Sequence, residues 1–99
     1  MDSKKVINLW LFPRNNNNKY RPITIKEEKI ASSLPNLKSE EYIHSRGCVR
    51  YALSELFGIP PLKIPLEAPI GKPPILHGDF GHITFSHCID SLLVGWSST

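Results

Sequence analysis

A chain of 99 residues is expected to form one domain, residues 1–99, with a modest core. Hydrophobic content of 40% and charged content of 21% are ordinary for a globular protein, so disorder is not the default, and two cysteines, Cys48 and Cys88, do not make a disulfide framework. A net charge of +3 leans toward an anionic partner. No stretch approaches the roughly 20 apolar residues of a membrane helix. The polar Met1–Lys5 start and the apolar run of about seven residues after it make no secretory signal, so a reducing cytoplasm is the expected location.

Val6 to Phe12 is rich in β-branched and aromatic residues and predicts a strand. Ile7, Leu9 and Leu11 share one face, Asn8 and Trp10 the other, and Pro13 ends the ladder. Arg14 and the Asn15–Asn18 run predict a polar loop. Thr24 and Glu27 have the spacing of a capping box, which predicts a short helix running to about Leu34. Lys38 or Ser39 then opens a longer helix through Phe57, with Glu40 and Glu41 in its first turn. Gly58 and Pro60-Pro61 stop it.

Leu62, Ile64 and Leu66 alternate with polar residues and proline, predicting an irregular edge strand. A Gly71-Lys72-Pro73 turn follows, then a brief extended piece at Ile75–His77 and a turn at Gly78-Asp79. Ile83, Phe85 and His87 face one way on the next strand, and His82, Thr84 and Ser86 the other. Cys88 to Ser91 turn the chain back into an apolar strand, Leu92–Trp96. The expected class is α+β: one long and one short helix on a small, mostly antiparallel sheet.

On the long helix, Tyr42, Val49, Leu53, Leu56 and Phe57 fall on one arc, and Arg46 falls inside it. A guanidinium does not lose its proton, so burial there calls for a partner. A carboxylate from another element, an anionic ligand, or a snorkelling arginine at the core edge all satisfy the pattern. Lys72, held between a permissive glycine and a rigid proline, is a point charge suited to phosphate, although Gly-Lys-Pro also occurs in ordinary turns. Ser86 and His87 offer a hydroxyl and an imidazole at a strand end. Ser86 and His87 are not expected to act as a hydrolase's nucleophile–base pair, since adjacent strand residues point to opposite faces and cannot hydrogen-bond to each other.

Arg46, Arg50, Gly71-Lys72-Pro73 and Ser86-His87, in that order, resemble the 4′-phosphopantetheinyl transferases of the pseudodimeric, surfactin-synthetase-activating type. That family carries an arginine-bearing helix, a Gly-Lys-Pro motif and a strand ending Ser-His-Ser, which appears here as Ile83-Thr84-Phe85-Ser86-His87-Cys88. The resemblance spans nearly the whole chain and implies the N-terminal half of such an enzyme. It implies coenzyme A as substrate, with Arg46, Lys72 and His87 as phosphate contacts. Gly71 and Pro73 become contacts near the nucleotide, and Ser86 a polar contact beside them. An acyl or peptidyl carrier protein is the implied partner.

Thr84 and Cys88 depart from the asparagine and second serine usual in the family. The family's magnesium-binding acids and its Lys-Glu helix have no counterpart before Thr99. No catalytic or metal-binding residue is therefore assigned, magnesium belongs to the complete enzyme only, and transfer by residues 1–99 alone is not expected. The face that a second half would cover is expected to be apolar, so self-association is expected. Two alternatives stand beside this reading. One is a non-catalytic coenzyme A-binding or scaffold module. The other is a small basic nucleic-acid binder using Lys4, Lys5, Arg14, Lys19 and Arg21, although Glu27, Glu28, Glu40 and Glu41 interrupt the basic stripe and no nucleic-acid motif is present.

Overall fold

The computed structural model describes residues 5–14 and 21–99. The expected Asn15–Asn18 loop, Lys4 and Lys19 lie outside the described residues. The chain runs β1 (Ile7–Pro13), α1 (Ile25–Ser32), α2 (Asn36–Phe57), a 3-10 turn at Pro61–Lys63, β2 (Leu66–Glu67), β3 (Ile75–Leu76), β4 (His82–His87) and β5 (Ser91–Ser97). The fold is α+β. One three-stranded antiparallel sheet has the order β1-β5-β4, and β2 pairs antiparallel with β3. Helix α2 lies on one face of the larger sheet and α1 packs against α2. Among the described residues no helix is long and apolar enough to cross a membrane.

The α1 N-terminus forms the expected capping box. The Thr24 hydroxyl accepts from the Glu27 amide at 3.2 Å, and the Glu27 carboxylate accepts from the Thr24 amide at 2.9 Å. Helix α2 begins earlier than predicted. Pro35 stands at its N-cap position, and the Ser39 amide already donates to the Pro35 carbonyl at 2.8 Å. Proline suits a helix start because its missing N–H would have no partner there. The shift moves Glu40 and Glu41 out of the first turn, which holds no acidic residue. Gly58 ends the helix with φ of +68°, a left-handed conformation that favours glycine.

The strand expected over Leu62–Leu66 is replaced by the 3-10 turn and the two-residue β2. Pro61 starts the 3-10 turn, and Ile64 and Leu66 still reach the core while Leu62 stays exposed. The core joins Cys48, Val49, Ala52 and Leu53 of α2 to Phe12, Ile83, Leu92 and Val94 of the sheet, with Ile64, Leu66, Ala68 and Leu76 closing one side. Phe57 sits edge-on to Phe80 and Trp96 at centroid distances of 5.0 and 5.6 Å. The Trp96 indole N–H donates to the Phe80 carbonyl at 2.6 Å, so the aromatic cluster has its polar handle satisfied.

Strand β1 alternates as predicted, but its core side is the less aliphatic one. Phe12 is buried and Trp10 packs against the core. Ile7, Leu9 and Leu11 stay 60, 66 and 67% exposed on the outer face of the sheet.

Candidate anion-binding cleft

A cleft of about 500 Å³ opens between the N-terminal half of α2, the loop joining β2 to β3, and β4. Arg46, Gly71, Lys72, Pro73 and His87 all line it. Three separate elements thus bring three basic side chains to one concavity. Each is placed by a local feature. Gly71, at φ of +77°, turns the β2–β3 loop so that Lys72 and Pro73 lie at the cleft wall. His87 is the last residue of β4 on the face that carries Phe85, which also lines the cleft. Ser86 does not line it. The strand alternation puts the Ser86 side chain on the outer face of the sheet with those of Thr84 and His82, although Thr84 also borders the cleft.

Arg46 is buried, and its partner is neither a carboxylate nor solvent. Its Nε and Nη2 both donate to the Ala68 carbonyl, at 3.0 and 2.6 Å, and its Nη1 donates to the Ser45 hydroxyl at 2.9 Å. Its guanidinium carbon lies 4.1 Å from the Tyr42 ring centroid and 5.2 Å from that of Phe85. The expected negative partner is thus replaced by a backbone carbonyl and two aromatic faces, a setting that suits a planar, weakly hydrated cation. Burial lowers the Arg46 pKa, opposed by Tyr42 and Glu27, and burial raises that of Tyr42, opposed chiefly by Arg46. Ala68 opens the loop that carries Lys72, so Arg46 fixes that loop to α2 from inside.

Arg50, which the helix arc places at a margin, is the more deeply held of the two arginines. Its Nε and Nη2 donate to the Glu27 carboxylate at 2.9 and 3.0 Å, and its Nη1 donates to the Pro61 and Ile64 carbonyls at 3.0 and 2.9 Å. Arg50 is 2% exposed and does not line the cleft. It ties α1, α2 and the segment before β2 together.

Lys38 and Glu41 are the charged cleft residues that sequence reasoning misses. Lys38 stands in the first turn of α2, which starts two or three residues before the expected Lys38 or Ser39. The Glu41 carboxylate bonds to Arg14 Nη2 and lies 3.7 Å from His87 Nδ1. Arg14 also donates to the Cys88 carbonyl at 3.0 Å, so the turn after His87 is held against α2. Arg21 pairs with Glu40 at 2.9 Å. Among the described residues of the N-terminal basic cluster, Arg14 and Arg21 are therefore ion-paired to α2.

Magnesium, implied by the resemblance, needs carboxylates free to coordinate it. Glu41 is the carboxylate lining this cleft, and Arg14 already engages it. The donor set does not fit a magnesium ion. The charge balance of the cleft instead favours an anion, with Lys38, Arg46 and Lys72 against Glu41 and with His87 able to donate through a ring N–H. Comparison of the chain with protein-family models, with curated proteins and with solved structures finds no match in any of the three.

Proposed function

We propose that the cleft holds the phosphate-bearing nucleotide end of coenzyme A, and that the chain is the donor-binding half of a 4′-phosphopantetheinyl transferase. One observation carries the reading. Arg46, Lys72 and His87 come from a helix, a loop and a strand that are far apart in sequence, and they line a single cleft. Its volume of about 500 Å³ is that of an ordinary small-molecule site. The pyrophosphate and the ribose phosphate of such a ligand give Lys38, Lys72 and His87 charged partners.

Roles follow from exposure and pairing. Lys72 and Lys38 are exposed and meet phosphate oxygens as mobile point charges. His87 donates through a ring nitrogen at the β4 end of the cleft. Pro73 offers a flat apolar edge to the adenine. Arg46 positions the Lys72 loop through Ala68 and adds positive potential at the cleft floor. The transfer step itself requires carboxylate-bound metal and a base that deprotonates the carrier-protein serine. The proposal for this chain is confined to holding the donor, with an acyl or peptidyl carrier protein as the acceptor partner.

Isothermal titration of the full chain tests this. Coenzyme A should release or absorb measurable heat, and pantetheine, which lacks the phosphates, should not. Lys72→Ala should weaken binding at least about tenfold, the equivalent of one charge-assisted contact. Equal binding of coenzyme A and pantetheine, or no binding at about 1 mM ligand, overturns the reading.

A further inference from the structure

We infer that Glu41, held by Arg14, is the positioning residue of the cleft, and that it turns His87 so that Nδ1–H meets the carboxylate and Nε2 meets the ligand. The inference rests on the reading of the cleft as a phosphate site, and not on which phosphate compound fills it.

Three elements converge at this point. Arg14 follows β1, Glu41 lies in the second turn of α2, and His87 closes β4. The Arg14 amide donates to the Asp90 carbonyl at 2.9 Å, and its Nη1 donates to the Cys88 carbonyl at 3.0 Å. Both bonds reach the β4–β5 turn, so the guanidinium is fixed beside the end of β4. From there its Nη2 donates to Glu41 Oε2. The same oxygen lies 3.7 Å from His87 Nδ1, which is ion-pair range and a small ring rotation short of a hydrogen bond. The Phe85 ring stands edge-on to the imidazole, with 6.2 Å between centroids and 83° between planes, a second contact that favours this ring orientation.

The chemistry of imidazole makes this contact decide what His87 can do. The neutral ring carries one N–H, and which nitrogen holds it is set by the partner of the other. A proton kept on Nδ1 by the carboxylate leaves Nε2 with a lone pair, which repels a phosphate oxygen. The imidazolium carries an N–H on each nitrogen, one for Glu41 and one for phosphate. His87 therefore meets phosphate as a cation, with the Glu41 carboxylate offsetting its charge. Among the described residues that line the cleft, Glu41 is the sole carboxylate, and Lys38, Arg46 and Lys72 are the other charges. Arg14 approaches from the end of β1, and His44 lies close enough on α2 to feel the charge of His87. Asp90, in the turn beyond β4, makes no ion pair with His87 among the described residues. A carboxylate in a cleft of positive charge otherwise only opposes an anion, and the positioning of His87 accounts for its presence there.

The free chain tests the proton's place, and the liganded chain tests its consequence. In long-range nitrogen–proton spectra of the free wild-type chain at about pH 8, neutral His87 should carry its proton on Nδ1. Glu41→Ala should move it toward Nε2, and Glu41→Gln, which keeps an acceptor, should return it to Nδ1. A proton on Nε2 in wild type, or one that stays on Nδ1 in Glu41→Ala, overturns the inference. Titration with adenosine 3′,5′-bisphosphate at about pH 6 then gives a double-mutant cycle. His87→Ala should weaken binding about tenfold in the wild-type chain and less than about threefold beside Glu41→Ala or Glu41→Gln. The advantage of His87 should shrink at about pH 8, where the ring is neutral. Glu40→Gln, which changes a residue paired with Arg21 outside the cleft, should leave the cost of His87→Ala unchanged. An equal cost of His87→Ala with and without Glu41 overturns the inference. No binding to the wild-type chain overturns the phosphate reading instead, and the ring spectra then decide the role of Glu41 by themselves.

Discussion

Glu27 and Arg50 are joined by two hydrogen bonds, at 2.9 and 3.0 Å, between side chains that are only 8 and 3% exposed. The same carboxylate also accepts the Thr24 amide at 2.9 Å. One side chain therefore caps α1 and anchors α1 to α2. Glu27→Ala removes the carboxylate half of the capping box and strands a buried guanidinium, which costs about 3–5 kcal/mol. For a chain of this size that is a large fraction of the whole. Chemical denaturation should show it directly, and a loss below about 1 kcal/mol would sink the assignment. Glu27→Gln, which keeps the acceptor for Thr24 and loses the charge pair, should fall between the two.

This pair also shows what a single sequence discloses and what it hides. Thr24 and Glu27 advertise the capping box because both partners lie within one turn. Arg50 lies 23 positions further on, and no periodicity within α2 identifies its partner on another helix. Arg46 is the complementary case. The wheel marks it correctly as a charge on a buried arc, yet its partner is the Ala68 carbonyl, and a backbone group leaves no trace in composition. Pro35 and Pro61 mislead for one reason: each opens a helical turn, where sequence reading takes proline as a break. The strands of the larger sheet were legible from alternation. Which face of β1 is covered was not, because Asn8, Trp10 and Phe12 are less aliphatic than Ile7, Leu9 and Leu11.

Arg46→Ala should act first on stability. It leaves the Ala68 carbonyl without its two donors inside the fold, a loss of about 1–3 kcal/mol. Arg46→Lys restores the charge, but a single ammonium cannot reproduce the paired donation from Nε and Nη2 or the stacking on Tyr42. Hydrogen exchange should report faster opening of the 68–74 loop in both variants, more so in the alanine one. Unchanged loop protection in Arg46→Ala would remove the positioning role.

Cys48 and His44 make stability depend on pH at both ends of the scale. Burial pushes the Cys48 thiol up to about 12, well above its ordinary value. The folded state then keeps a proton that the unfolded chain releases, so this stabilisation is complete below about pH 9 and is lost as pH rises toward 12, with a slope of at most about 1.4 kcal/mol per unit. Burial lowers the His44 pKa, with Pro13 opposing and Arg14 and His87 assisting. That contribution is present above the unfolded histidine pKa and fades as pH falls through the lower folded value. Denaturation midpoints should therefore decline above pH 9 more steeply in wild type than in Cys48→Ala. A thiol reagent at neutral pH should label Cys88, which is exposed, and reach Cys48 only after unfolding. Equal native reactivity of the two thiols would contradict the buried environment of Cys48.

Ser86 and His87 are neighbours in sequence and should behave oppositely in ligand binding. His87 lines the cleft beside Glu41, while Ser86 sits in the row of Leu11 and Leu93 on the outer sheet face. His87→Ala removes a donor to phosphate and should weaken coenzyme A binding about tenfold or more, the scale of one charge-assisted contact. Ser86→Ala should leave that affinity within about twofold, because its hydroxyl cannot reach the cleft without reversing the pleat of β4. Adenosine 3′,5′-bisphosphate as the titrant keeps the comparison on the nucleotide end of the ligand. If Ser86→Ala weakens binding as much as His87→Ala, the outer face of β4 takes part in the site, and the cleft as drawn is incomplete.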